Sequence, residues 1–92
     1  MIIKKNSDFE NSLEKIVLFI AKDSKVKAIK FQKKLNKALN SLSNMPYKFR
    51  QSFYYDDNSV RDLIFKGYTI PYLIDKDKNC IVILDIFKWI DR

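Results

Sequence analysis

The chain has 92 residues, 47% of them apolar and 14% aromatic, with a formal net charge of +7. That length allows one domain with a single two-layer core, and the apolar share excludes a disordered chain despite 32% charged residues. With no histidine and a lone cysteine, zinc sites, disulfide frameworks and Ser-His or Cys-His nucleophile pairs are excluded as well.

The opening "MIIKK" is β-prone and ends at Asn6. Ser7 followed by Glu10 fits a capping box, which predicts a helix from there. Phe9, Leu13, Ile16, Val17 and Ile20 then recur at helical spacing as one apolar stripe, with Asp8, Glu10 and Glu14 near the positive end of the dipole. "KDSK" interrupts the pattern, and Asp23 or Ser24 caps a second helix. Its core face carries Ala28, Phe31, Leu35, Ala38, Leu39 and Leu42, and its opposite side Lys30, Lys33, Lys34 and Lys37. The short link predicts an antiparallel helical hairpin, closed at "SLSNMP" because Pro46 disfavours helical angles at Met45.

From Tyr47 to Ser59 the pattern is irregular and aromatic-rich. Strands follow at about Val60 to Lys66, Tyr68 to Ile74 and Cys80 to Phe87, with Lys66-Gly67 as a tight turn. Pro71 has no N–H to give a ladder, so a bulge or an outward-facing position is expected there. The order β-α-α-β-β-β predicts an α+β fold, a helical hairpin on one face of a mainly antiparallel four-stranded sheet, with 1–92 as a single domain. "MIIKKNSDF" lacks the apolar stretch of a signal peptide and nothing approaches membrane-spanning length, so the cytoplasm is the expected location and no membrane partner is expected.

Of the 18 basic residues only Arg50, Arg61 and Arg92 are arginines. The excess charge favours a polyanionic partner, either nucleic acid or an acidic protein segment, although an AT-rich coding sequence also yields Lys, Ile and Asn in abundance. Asp75, Asp77 and Asn79 begin a calcium-loop pattern that fails at Cys80, where glycine is needed, and at Ile86, where a bidentate Glu is needed. They read as a polar turn. Arg61 beside Asp62 suggests a salt bridge at the sheet margin or a functional contact, and Trp89 a core cover or a stacking surface. Cys80 opens the run "CIVIL" and reads as a buried, inert thiol. No cofactor is expected. Metal-independent RNA cleavage through the 2′-hydroxyl needs clustered cations and a proton carrier. Arg50, Arg61, Lys66 and Lys88 supply charge, but Tyr54 and Tyr55 are poor bases near neutrality.

The helical hairpin, "MPYKFRQSF", "VRDLIFKGYTIPYLID" and "CIVILDIFKWIDR" together resemble the RelE/ParE superfamily of toxins from bacterial type II toxin-antitoxin modules. The resemblance spans nearly the whole chain and rests on the order of loose motifs. It implies a growth-arresting toxin neutralised by a cognate acidic antitoxin whose disordered segment folds around it, with operator DNA contacted only through the antitoxin. RelE-like members cleave mRNA on the ribosome, whereas ParE-like members poison DNA gyrase. Here Thr69 stands where RelE-like toxins often carry Arg, and neither Tyr nor His ends the sequence. These departures tip the balance toward a ParE-like toxin acting by binding DNA gyrase. The alternative is a RelE-like, ribosome-dependent mRNA endoribonuclease with Arg50, Arg61, Lys66 and Lys88 as catalytic candidates, and a further one is an inactive homologue that retains only antitoxin binding. Arg61, Lys66, Lys88, Trp89, Arg92, Lys30, Lys33 and Lys37 are the candidates for target or antitoxin contact.

Overall fold

A computed structural model describes residues 1–88. Its elements run β1 (Ile2–Lys5), α1 (Ser7–Asp23), α2 (Lys25–Ser41), β2 (Val60–Phe65), β3 (Tyr68–Asp75), β4 (Cys80–Ile83) and β5 (Phe87–Lys88). The first helix starts one position earlier than expected. Asn6, still extended at φ −81 and ψ 170, accepts the Phe9 N–H on its side-chain oxygen at 2.9 Å, so Asn6 is the cap and Ser7 the first helical residue. The reason is positional: the Asn6 N–H donates to the Ile83 carbonyl at 3.1 Å, which leaves β1 delivering a short side-chain acceptor to the point where the helix needs one.

Ser24 explains the very short link between the helices. Its N–H donates to the Ile20 carbonyl at 2.9 Å and closes α1, while its hydroxyl accepts the Lys27 N–H at 3.2 Å and opens α2. The two helices do not share burial equally. Helix α2 buries Ala28, Phe31, Leu35 and Leu39, whereas Phe9 alone is fully buried from α1. Phe9, Phe31, Leu35 and Leu39 join Leu42, Leu63, Ile70, Tyr72, Ile74, Ile81 and Ile83 in one core between the hairpin and the sheet.

Among the described residues the sheet has five strands, in the order β1-β4-β3-β2, with β5 also paired to β3. It is mixed: β1 lies parallel to β4, and the other pairings are antiparallel. The β2–β3 turn places Lys66 at φ 50 and Gly67 at φ 84. Both central residues of a two-residue hairpin of this kind need positive φ, which glycine adopts freely.

The last expected strand, Cys80 to Phe87, is broken in two. Tyr72 pairs with Ile83, but Thr69 pairs with Phe87, so the strand gains one residue between those two points. That extra residue is a bulge opposite Pro71. Pro71 is buried in the middle of β3, where it accepts the Leu84 N–H at 2.9 Å but has no N–H to return. The irregularity expected at the proline is therefore carried by its neighbour, while β3 itself runs unbroken from Tyr68 to Asp75.

Side chains alternate across β2, so Leu63 enters the core and Asp62 points to the face without helices. The segment after α2 covers this second face. Ser52 N–H donates to Val60 O at 2.8 Å and Asp62 N–H to Arg50 O at 3.1 Å, which shields the outer edge of β2. The chain then turns over the sheet, with Tyr54 edge-on to Phe87 at 5.0 Å.

Candidate functional site

Of the cations singled out in the sequence, the four catalytic candidates sort into two groups at opposite ends of β2. Arg50 and Arg61 are at its start. Arg61 and Lys66 are five residues apart along an extended chain, which separates their backbones by about 17 Å.

At the arginine end, side chains hold the structure together. Asp62 is completely buried, and one carboxylate oxygen accepts the Phe53 N–H at 3.1 Å and lies 3.5 Å from Arg50. The expected ion pair of Asp62 with Arg61 does not form, because adjacent residues of a strand point to opposite faces. Asp62 takes Arg50 instead, and Arg50 also stacks over Phe53 at 4.1 Å. Arg61 lies on the helix side, donating to the Phe49 carbonyl at 3.2 Å and covering the Tyr47 ring at 5.1 Å. Both guanidiniums thus pin the segment that follows α2.

Tyr72, opposite Arg61 in the ladder, completes this arrangement by donating its hydroxyl to the Pro46 carbonyl at 2.6 Å. Burial pushes its pKa up to about 12 from an ordinary value of 10, against the pull of Arg61 and a backbone hydrogen bond from Phe49. The raised value means that the fold prefers the neutral phenol. The stabilisation is complete below pH 10 and is lost as pH rises through 12. An alkaline titration of unfolding is therefore expected to show stability falling over that window, and Tyr72→Phe is expected to flatten the fall. Tyr55 is raised too, by burial first and then by Asp85, Asp8 and Asp62, so the flattening is partial.

The lysine end is open to solvent. Lys27, Lys30 and Lys34 of α2 and Lys66 of the β2–β3 turn rim a shallow groove of about 280 Å³ whose floor is Ile20 and Phe31. Phe31 is placed there by edge-on contacts with Phe65 and Tyr68, each at 5.6 Å, which lock α2 to the strands flanking the turn. Lys34 and Lys66 crowd each other: the neighbouring Lys34 ammonium is the main reason the Lys66 pKa is lowered. Lys27 is paired to Asp23 at 3.3 Å; among the described residues, Lys30, Lys34 and Lys66 form no ion pair. Lys88 is exposed on β5 opposite Tyr68, at the same end of the sheet as Lys66.

Other grooves on the surface are of mixed or acidic character. One beside α1 sets Glu10 and Glu14 against Lys5, and another, at the β3–β4 turn, carries Asp75 and Asp77. In that turn Asp75 accepts the Lys78 N–H at 3.1 Å, which makes it a turn former. Lys33 and Lys37 are exposed on α2 but do not line the lysine groove, and Trp89 and Arg92 lie outside the described residues. Sequence reasoning did not single out Lys27, Ile20 and Phe31 as site residues, nor the convergence of Lys34 on Lys66. The i, i+4 spacing of Lys30 and Lys34 was visible in the sequence; their meeting with a turn more than thirty positions later is tertiary.

Residues 3–88 match the family described as the ParE toxin of the type II toxin-antitoxin system parDE. No curated protein matches the chain in sequence. Among solved structures, the fold is similar to that of a chain from the chromosomal ParDE TA system from P. aeruginosa, with a TM-score of 0.77 and 17% identity, covering 98% of this chain and 97% of that one. The order of helical hairpin and mixed sheet is common to both, and the match along nearly the full sequence supplies what the structural likeness alone does not: the chain belongs to the family of ParE toxins of type II toxin-antitoxin systems.

Proposed function

We propose that this toxin arrests growth by binding DNA gyrase, that it acts in the cytoplasm as one domain, and that its cognate antitoxin holds it inactive. The observation that carries the choice of target is the separation of the cations. Cleavage of RNA requires charge stabilisation and a proton carrier to meet at one phosphate. Arg50 and Arg61 are engaged with Asp62 and Phe49, about 17 Å along β2 from Lys66. Tyr55 moves further from neutrality, which removes it as a ready base. A stoichiometric binder has no such requirement. Its surface needs charge, shape and accessible side chains, and the lysines have all three.

The test is a supercoiling assay with purified gyrase and relaxed plasmid, beside a transcriptome-wide map of new mRNA 5′ ends after induction without the antitoxin. Inhibited supercoiling with no new ends inside codons is the expected result. Cleavage within translated codons with supercoiling intact would transfer the protein to the ribosome-dependent nucleases, and absence of arrest would make it an inactive homologue. Operator DNA enters this scheme only through the antitoxin.

A further inference from the structure

We propose that Lys66 is a site of selective acylation by short-chain acyl phosphates, with Lys30 and Lys34 drawing in the phosphate and the floor of Ile20 and Phe31 receiving the acyl chain. The groove that these residues line holds no acidic side chain, unlike the other two grooves described, so a small anion meets no repulsion there. Lys27 is engaged with Asp23, which leaves Lys30 and Lys34 as the groove's free cations beside Lys66 among the described residues. At about 280 Å³ the groove lies below the usual size of a drug-sized site, which suits a small acyl donor better than one carried on a nucleotide.

Only the free amine of a lysine attacks a carbonyl carbon, so the nucleophile must be a lysine whose charged form is disfavoured. Lys66 meets that condition: the Lys34 ammonium beside it lowers its pKa by repulsion, with desolvation and a side-chain hydrogen bond to Lys34 adding to the effect. Little opposes this shift. No carboxylate pairs with Lys66 among the described residues, and the Phe65 ring lies 5.9 Å from its ammonium, near the limit of cation–π attraction. The backbone beneath it is fixed, since Lys66 occupies the tight turn at φ 50 between two paired strands. In the step itself, Lys66 first gives a proton to water. Its Nζ lone pair then forms a C–N bond with the acyl carbon, the bond from that carbon to the phosphate oxygen breaks, and inorganic phosphate leaves with the bonding pair while a second proton passes from nitrogen to solvent. The product is a neutral amide, which ends the repulsion with Lys34 and removes one positive charge from the groove.

The experiment incubates the purified full-length chain with acetyl phosphate at mildly alkaline pH and follows acetylation of each lysine by peptide mass spectrometry. Lys4 and Lys78, exposed and outside the groove, serve as internal references. Lys66 is expected to react about fivefold faster than either, or more. Lys34→Met, which removes the neighbouring charge from an exposed position, is expected to bring Lys66 within about twofold of the references, and Lys34→Arg, which keeps that charge, to preserve the selectivity. Thermal melts confirm that both variants are folded. Added inorganic phosphate is expected to slow Lys66 and leave Lys4 and Lys78 unchanged. A Lys66 rate equal to the references overturns the proposal. So does selectivity that survives Lys34→Met, which would trace the reaction to exposure alone, and so does indifference to inorganic phosphate, which would mean that the lysines do not hold the donor. None of these readings involves gyrase or the antitoxin, so an error in the proposed target leaves the result readable.

Discussion

Replacing Phe9 by alanine is expected to lower the stability of the toxin by about 3–5 kcal/mol, seen as a fall in the urea midpoint with the slope unchanged. Phe9 has no exposed surface and is the one fully buried residue of α1. The other members of its apolar stripe, Leu13, Ile16 and Ile20, are only partly covered, and Leu18 and Phe19 face solvent. Truncation leaves a cavity beneath the first turn, where β1 ends and the Asn6 cap is formed. A chain of this length has a total stability of roughly 5–14 kcal/mol, so the loss is a large fraction of the whole. Phe19→Ala is the natural comparison: the same side chain on the same helix, 73% exposed, is expected to change stability by about 0.5 kcal/mol or less. A loss below about 1 kcal/mol at Phe9 would mean that α1 is held by its partly covered residues instead.

Asp62→Ala should produce the second largest effect, a loss of about 2–3 kcal/mol. Breaking a buried ion pair usually costs more, because the surviving charge is left in the interior. Here the survivor is Arg50, whose side chain is 38% exposed and can turn to water. What remains is the Phe53 N–H without its acceptor, together with release of the segment that covers the second face of the sheet. Hydrogen exchange separates the two contributions: protection should vanish from Phe53 and Tyr54 while persisting in β3 and β4. Loss of protection across the whole sheet at low denaturant would instead show that the covering segment and the core open together.

The helices were legible in the sequence because each carries its own period and its own stops. The alternation of Phe9, Leu13 and Ile16 needs no knowledge of the partner it packs on, and Ser24 announces a helix start through the chemistry of its hydroxyl. The errors fell where two distant segments decide together. Nothing local distinguishes Asn6 from Ser7 as cap until Ile83 takes the Asn6 N–H. Pro71 signalled an irregularity, but its location in the opposite strand depends on pairing. The candidate site was least legible. Residue type identified Arg50, Arg61, Lys66 and Lys88 as cations, but only the fold shows that the first two face Asp62 and Phe49 while Lys66 meets Lys34.

The parallel pairing of β1 with β4 bears on how the toxin is made. Ile2 lies against Cys80 and Lys5 against Ile83, so β1 has no neighbour until β4 has been made, after both helices and two further strands. Such a topology pays its loop-closure entropy before any of the edge contacts form, which slows folding relative to a domain whose contacts are all local. A polypeptide interrupted anywhere before Cys80 has no site for β1 and no completed sheet. Chains that stop before β4 are therefore expected not to fold.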